Sequence, residues 1–289
     1  MRRLDAAART AAPGNFVTLP GGVTHYETSN VGTSADVDRQ TPVILVHGFS
    51  VPSFVWEPTF AGLARAGIPV IRYGLFGRGY SDRPRTTYSI DLFERQLADL
   101  IEALGLVGPV DIAGLSMGGA VSIGFADRHP EMVRRLALFD PAGFPMPLPP
   151  AMKLLDVPVL GEIAMATAGK RMMISGLSQD FHAPEQLPAL ARQYMEQMRY
   201  PGFLRSLLST IRYGPIQTMA DAYGRVGRHP RPVLLVWGVN DKTVPFAISG
   251  QVRAALPRAE FHAIEGAGHV PHLEQPERIN RILVDFLTR

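Results

Sequence analysis

Short apolar runs alternate along the chain with longer stretches in which apolar residues recur at every third or fourth position. Continuous apolar runs are typical of strands that are covered on both faces of a sheet. The pattern predicts eight strands: Phe16–Leu19, Val23–Tyr26, Val43–Val46, Pro69–Tyr73, Pro109–Ala113, Arg135–Phe139, Pro232–Trp237 and Glu260–Ile264. The first two are joined by a Pro-Gly-Gly turn and predict an antiparallel hairpin.

Helical segments separate the later strands. In Ile90–Leu104 the apolar residues follow the spacing of three and four positions that is typical of a helix with one buried face. The predicted helices that accompany the sheet are Trp56–Ala66, Ile90–Leu104, Met117–Arg128, Phe246–Ala255 and Glu277–Leu287. Strands that alternate with helices in this way favour parallel βαβ units, with helices on both faces of the sheet.

The alternation stops after the sixth strand. From Phe144 to about Val226 there is no strand pattern, only short helical stretches that Pro and Gly interrupt, and the alternation resumes after Pro232. The sequence therefore predicts an α/β fold with a mostly parallel eight-stranded sheet. Residues 1–143 and 227–289 form its core, and residues 144–226, called the cap segment below, form a helical cap inserted after strand six.

Composition excludes several classes of protein. Of the 289 residues 46% are apolar and 19% are charged, which excludes a disordered chain, a collagen-like fibre and a disulfide scaffold. The absence of cysteine excludes thiol catalysis and cysteine-ligated metals. The net charge is +3 and the arginines are scattered without a dense basic run, so we expect no nucleic-acid partner.

The distribution of apolar residues also bears on location. No apolar run approaches the roughly 20 residues of a membrane span. Residues 1–14 carry charged side chains where a secretory signal requires an apolar run. We therefore expect a cytoplasmic protein without an integral membrane span.

A candidate nucleophile lies between a predicted strand and a predicted helix, in the segment Gly114-Leu115-Ser116-Met117-Gly118. The pattern Gly-x-Ser-x-Gly in this context predicts a nucleophile elbow. Such a turn strains the serine backbone and leaves no room for a Cβ two residues away, hence the glycines. Ser116 is therefore predicted as the nucleophile, with the Met117 amide directed into the space above it. The alternative is that Ser116 only caps the helix.

A serine hydroxyl needs a base that removes its proton. His269 follows the strand Glu260–Ile264 on a glycine-rich loop, at the carboxyl edge of the sheet where sites of open α/β folds assemble. We predict His269 as the base. His272 is the rival, although its position near the start of the last helix favours a packing role.

The third member of a serine triad is an acid that orients the imidazole and stabilises its protonated form. Asp241 lies in the loop after the seventh strand, and the chain order Ser116, Asp241, His269 places the acid between the other two, as in hydrolases with a nucleophile elbow. Asp140 at the end of the sixth strand is the competing acid. Its alternative role is to form the turn before Pro141.

Several motifs together resemble the α/β-hydrolase superfamily, in the esterase- and lipase-like branch that carries a cap. They are Val46-His47-Gly48-Phe49, Gly77-Arg78-Gly79-Tyr80-Ser81, the elbow, Trp237-Gly238-Val239-Asn240-Asp241-Lys242-Thr243-Val244-Pro245, and Gly266-Ala267-Gly268-His269 with Glu274-Gln275-Pro276-Glu277. The resemblance implies a carboxylic ester hydrolase in which the backbone amides of Phe49 and Met117 form the oxyanion hole. It implies that His47 holds its loop. It also implies a small-molecule ester substrate with an apolar acyl or alcohol portion, without a metal or an organic cofactor.

One position departs from the pattern of this superfamily. Similar sequences usually carry Asp where this chain has Gly74, and the Asp is understood to fix the following glycine turn through hydrogen bonds to the backbone. The loss of each such bond costs about 1 kcal/mol. We therefore expect Gly74 to loosen this turn without changing the fold.

Three alternatives share the scaffold. C–C bond hydrolases of ring-fission products often carry Asn before the nucleophile and Trp after the histidine, where this chain has Leu115 and Val270. Cofactor-free perhydrolases resemble the chain around the elbow but differ near the histidine. A ligand-binding receptor of low turnover would keep the triad. The sequence is compatible with a monomer and with a homodimer.

Overall fold

The computed structural model describes residues 4–31, 41–146, 153–183 and 187–289. Its strands are β1 (Asn15–Leu19), β2 (Gly22–Ser29), β3 (Val43–Val46), β4 (Val70–Tyr73), β5 (Val110–Leu115), β6 (Val133–Phe139), β7 (Val233–Gly238) and β8 (Glu260–Ile264). They form one sheet in the order β1-β2-β4-β3-β5-β6-β7-β8. The pairs β1–β2 and β2–β4 are antiparallel and the others are parallel. The predicted sheet is therefore confirmed.

Helices occupy most of the remaining chain. They are α1 (Ala6–Thr10), α2 (Glu57–Arg65), α3 (Ile90–Ala103), α4 (Met117–Arg128), α5 (Leu160–Leu177), α6 (Leu187–Gln197), α7 (Phe203–Tyr213), α8 (Ala220–Arg228), α9 (Ser249–Ala255), α10 (Pro271–Glu274) and α11 (Pro276–Thr288). Single turns of 3₁₀ helix, Ser53–Trp56 and Phe246–Ile248, precede α2 and α9.

The two faces of the sheet bury different sets of apolar side chains, because successive residues of a strand point to opposite faces. In β3, Ile44 and Val46 join the cluster that contains apolar residues of α3, α4, α8 and α9. Val43 and Leu45 join the cluster that contains apolar residues of α2, α11 and the cap segment. Helices thus cover both faces, as the continuous apolar strands predicted.

The described residues of the cap segment are mainly helical. The segment contains α5, α6, α7 and most of α8, and its described residues include no strand. Residues 147–152 and 184–186 lie outside the described part of the chain, and the predicted boundary at residue 226 falls within α8. Among the helices in the described ranges, none combines the length and the apolar character that crossing a membrane requires.

The sheet brings four candidate residues to one place. Strands β5, β6, β7 and β8 are neighbours and run parallel, so their carboxyl ends lie at the same edge. Ser116, Asp140, Asp241 and His269 follow these four ends. The candidate chemistry therefore collects at one edge of the sheet, although the residues are separated by up to 153 positions in the chain.

Candidate active site

The turn that carries Ser116 is strained. Ser116 has φ 54° and ψ −120°, between the end of β5 and the start of α4. A backbone of this kind costs a non-glycine residue about 1–3 kcal/mol and persists only where the surrounding structure holds it. Here the Ser116 amide donates to Phe139 O at 2.9 Å, and Ser116 O accepts from the Ala142 amide at 3.0 Å.

The two glycines of the elbow are required by close approaches. A Cβ on Gly114 would lie 2.5 Å from Gly118 O, and a Cβ on Gly118 would overlap the carbonyl oxygen of Val46 in the neighbouring strand. The sequence pattern around Ser116 therefore has a steric cause in this fold. The tight turn that these glycines allow holds Ser116 at the carboxyl edge of the sheet.

His269 is paired with Asp241. The ring Nδ1 lies 2.8 Å from Asp241 Oδ2, and Nδ1 carries the hydrogen of this bond because a carboxylate only accepts. The other oxygen of Asp241 accepts from the amides of Thr243 at 2.8 Å and Val244 at 2.9 Å. These bonds fix the carboxylate and leave Nε2 of the imidazole available to a hydroxyl group.

Ser116 and His269 are both nearly covered, with 8% and 5% of their surface exposed. Within the described residues no hydrogen bond joins them in this state. Contacts between a nucleophile and its base are often long before substrate binds and tighten in the complex.

The pKa of His269 reflects opposing effects. Burial by itself lowers the pKa, because it disfavours the charged imidazolium. The charge and hydrogen bond of Asp241, together with the charge of Asp180, raise it, and the net result is a pKa above the ordinary value of histidine. The imidazole can therefore hold a proton that it has taken from a hydroxyl.

Asp140, the competing acid, occupies a different position beside the same histidine. It is fully buried, its Oδ1 accepts from the Gly238 amide at 2.8 Å, and its φ is 44°. Burial and the charge of Asp241 raise its pKa well above the ordinary value of an aspartate. The structure thus pairs His269 with Asp241, and it places Asp140 behind that pair as a carboxyl group that favours its neutral form.

Asp140, Asp241 and His269 each offer one polar atom within 4.8 Å of the other two, a spacing that could also suit a metal ion. The hydrogen bonds argue against this use. Both oxygens of Asp241 and Nδ1 of His269 are already engaged, and Asp140 Oδ2 has no partner among the residues that the structure describes. A metal ion would have to break the histidine–carboxylate bond.

The predicted oxyanion loop lies against the nucleophile. A Cβ on Gly48 would lie 3.3 Å from Ser116 Cβ and 3.8 Å from Ser116 Oγ. The amides of Phe49 and Met117 donate no hydrogen bond within the described ranges. The two amides that the superfamily resemblance assigns to the oxyanion hole are therefore unpaired in this part of the chain, and Gly48, which precedes Phe49, lies against Ser116.

Arg78 is hydrogen-bonded to the loop that carries Phe49. It is fully buried, and its Nε donates to Phe49 O at 2.8 Å. Its remaining nitrogens donate to Phe76 O at 3.1 Å and to Thr210 Oγ1 of α7 at 2.9 Å. Burial lowers the pKa of Arg78 to about 10, so the side chain remains charged at neutral pH. The sequence indicated the motif that contains Arg78, but it did not indicate that Arg78 bonds the oxyanion loop.

His47 and Gln96 fix the turn that follows Gly74. The Leu75 amide donates to His47 Nε2 at 2.9 Å, and burial lowers the pKa of His47 to about 3, which keeps the ring neutral. The Phe76 amide donates to Gln96 Oε1 at 2.7 Å, and Gln96 Nε2 donates to Gly74 O at 2.9 Å. The turn therefore keeps hydrogen bonds to its backbone without an acid at position 74.

His272, the rival base, is engaged in packing contacts and a backbone hydrogen bond. It is fully buried in α10, its Nε2 bonds Val55 O at 3.1 Å, and its ring lies 4.4 Å from that of Trp56. Burial lowers its pKa to about 3, so that it packs as a neutral ring. This agrees with the packing role that its sequence position favoured.

A cavity of about 360 Å³ lies on the cap segment, between α5 and α7. Its lining includes Met165, Leu208, Arg212 and Tyr213, and none of the candidate catalytic residues. Arg212 is paired with Glu162 at its rim. The lining of the cavity shares no residue with the candidate site at the sheet edge.

The sheet topology, the strained serine turn and the histidine–carboxylate pair are those of a hydrolase of the α/β class. The family model described as the alpha/beta hydrolase family matches residues 43–282, which is most of the chain. The protein therefore belongs to the alpha/beta hydrolase family.

Its relatives include more than one kind of hydrolase. It is 28% identical to the 2-hydroxymuconate semialdehyde hydrolase of Pseudomonas putida, over 85% of this chain and 86% of that protein. It is 26% identical to Lipase 1 of Psychrobacter immobilis, over 81% of this chain and 72% of that protein. A solved meta-cleavage product hydrolase from Pseudomonas fluorescens matches with a TM-score of 0.76 and 25% identity, over 94% of this chain and 97% of that one.

Proposed function

We propose that the protein is a serine hydrolase that cleaves carboxylic esters with an apolar acyl or alcohol portion through an acyl-enzyme intermediate. The observation that carries this proposal is the hydrogen bond between His269 and Asp241 at the sheet edge that also holds the strained Ser116. The relative named Lipase 1 supports an ester as substrate.

The reaction begins when Ser116 Oγ attacks the ester carbonyl carbon. His269 Nε2 takes the hydroxyl proton, and Asp241 stabilises the imidazolium that forms. When the tetrahedral intermediate collapses, the bond to the leaving alcohol breaks and the imidazolium gives that alcohol its proton. Water then attacks the acyl-enzyme in the same way, which releases the acid and restores Ser116.

The negative charge that develops on the carbonyl oxygen is bound by the Phe49 and Met117 amides. Donors of this kind act in a site that excludes water, where one of them is worth about 10²- to 10³-fold in kcat. Arg78 holds the carbonyl group of Phe49 and so orients the peptide of the loop. Its buried positive charge adds to the potential that favours an anion there.

A p-nitrophenyl butyrate assay tests the proposal. We expect a burst of p-nitrophenol followed by steady turnover, and both should disappear in Ser116→Ala. Ser175→Ala, which changes an exposed serine of α5, is the matched control and should behave like the wild type. Equal turnover by the wild type and Ser116→Ala would overturn the proposal.

A second candidate is hydrolysis of a C–C bond in a ring-fission product. The relative named 2-hydroxymuconate semialdehyde hydrolase favours it, since it is 28% identical over most of both chains. The same Ser116, His269 and Asp241 would serve this reaction. A panel of p-nitrophenyl esters and ring-fission dienones separates the two: a kcat/KM for a dienone above that for every ester would favour the second candidate.

A further inference from the structure

A short turn of the cap segment, residues 180–183, lies directly on the loop that carries His269. The backbone amide of His269 donates to Asp180 O at 2.8 Å. A Cβ on Gly268 would lie 2.6 Å from the same oxygen, so glycine is needed at this position for the two segments to meet. The contact thus reaches the main chain of the candidate base itself.

The same turn is also attached to the loop of Asp241. The hydroxyl of Thr243 donates to Asp180 Oδ1 at 2.6 Å, and the amide of Thr243 donates to Asp241 Oδ1 at 2.8 Å. One cap residue, Asp180, therefore contacts both loops whose side chains form the histidine–carboxylate pair.

Glu274 joins the cap turn to the histidine loop. Its Oε2 accepts from the Gly268 amide at 2.6 Å. Its Oε1 accepts from the amides of His182 at 2.7 Å and Ala183 at 2.9 Å. One carboxylate thus satisfies three backbone donors from two segments that are about 85 residues apart in the chain. Hydrogen bonds to a charged acceptor are about twice as strong as neutral ones.

We propose that Glu274 is a positioning residue, which latches the cap turn 180–183 to the His269 loop so that the imidazole reaches its productive position only while the cap turn is docked. The inference rests on the proposed function, in which His269 is the base. The cap turn is bonded to the main chain of His269 and, through Asp180, to the loop of Asp241. The latch therefore couples the docking of this turn to the geometry of the base.

Glu274→Gln tests the latch, because it keeps the size of the side chain but replaces one acceptor oxygen with a donor that faces backbone N–H groups. A displacement of about 1 Å in a reacting group can cost about 100-fold in rate. On p-nitrophenyl butyrate we expect kcat to fall about 10- to 100-fold, with KM changed by less than about threefold. Glu277→Gln, an exposed glutamate in the next helix, is the matched control and should leave both constants unchanged.

Hydrogen exchange gives a readout that does not depend on ester hydrolysis. In Glu274→Gln we expect faster exchange in peptides that cover residues 180–183 and in those that cover 266–269, with no change in the peptides of the sheet. Thr243→Val, which removes a single bond to Asp180, should give a smaller effect of the same kind. This variant keeps the test available if Glu274→Gln does not fold.

The outcomes separate the latch from a purely structural role and from the proposed function. A lower melting temperature with unchanged kcat would overturn the latch, as would unchanged exchange at residues 180–183. If the wild type hydrolyses no ester but Glu274→Gln exchanges faster in both segments, the proposed function fails while the attachment stands. Loss of kcat with unchanged exchange would place the effect of Glu274 elsewhere and also overturn the latch.

Discussion

Asp140 and Asp241 hold two carboxyl groups within 4.8 Å of each other in a buried site, and His269 lies within the same distance of both. Two carboxylates so close together in a buried site cannot both be ionised at low cost. Asp241 accepts hydrogen bonds from two amides and the imidazole. Asp140 accepts one from an amide, and its other oxygen has no partner in the described part of the chain. Burial and the charge of Asp241 raise the pKa of Asp140, so Asp140 is the one of the two that favours the neutral form.

Asp140→Asn should preserve this arrangement. The amide oxygen can accept from the Gly238 amide, and the side chain is uncharged, as the protonated acid is. We expect kcat on p-nitrophenyl butyrate to change little. Asp140→Leu leaves the Gly238 amide without its acceptor and should lower both kcat and the melting temperature. A loss of activity in Asp140→Asn as large as that in Asp241→Asn would instead make Asp140 the acid of the triad.

The same variant should change how stability depends on pH. The pKa of Asp140 is raised in the folded protein, so the unfolded chain releases a proton that the folded protein retains. This group therefore lowers the free energy of unfolding as pH rises above the ordinary aspartate value of about 3.9. We expect the melting temperature of Asp140→Asn relative to the wild type to increase between about pH 4 and pH 7. A constant difference would contradict the assignment of the proton.

Catalysis should depend on the deprotonation of His269. Only the neutral imidazole can accept the Ser116 proton, so kcat/KM should rise with pH through the pKa of His269, which lies above the ordinary value of about 6.5. Asp241→Asn should reduce kcat on the order of 10⁴-fold. It should also move the midpoint of the residual profile to lower pH, because burial then acts without the opposing carboxylate. A midpoint that does not move would show that another group controls the profile.

The raised pKa of His269 also contributes to stability, with the opposite pH dependence to that of a carboxylate whose pKa is lowered. The folded protein holds the imidazolium more tightly than the unfolded chain does, so the contribution is fully present below about pH 6.5 and is lost as pH rises through the folded-state pKa. Comparison of melting temperatures for the wild type and Asp241→Asn across this range checks the sign.

Gln96 should be important for the turn after Gly74. Gln96→Leu leaves the buried Phe76 amide without its acceptor, and an unsatisfied donor of this kind costs about 1–3 kcal/mol. We expect urea unfolding to show a loss of stability in this range. Gln251→Leu, at an exposed position of α9, is the matched control. If the two variants are equally stable, the turn does not depend on Gln96.

Local pattern predicted most elements of the fold. The bounds of α4, β3 and β8 coincide with the predicted ones, and the other strands differ by no more than three residues at an end. The helices predicted to start at Trp56 and Phe246 instead begin after single 3₁₀ turns. Apolar periodicity over three or four residues does not distinguish these turns from the first turn of an α-helix. The short helices α1 and α10 had no pattern long enough to predict them.

By itself the sequence determined the alternating strands and helices, the helical insertion and the serine turn, because each depends on neighbours within a few positions: side-chain period, glycine spacing and chain order. Tertiary structure alone decided which of Asp140 and Asp241 bonds His269. It also decided that Gln96 is hydrogen-bonded to the backbone of the turn at Gly74, and that Glu274 accepts hydrogen bonds from the cap turn. These choices depend on distances between segments far apart in the chain, and only the packing of the two faces of the sheet brings such segments within hydrogen-bonding range.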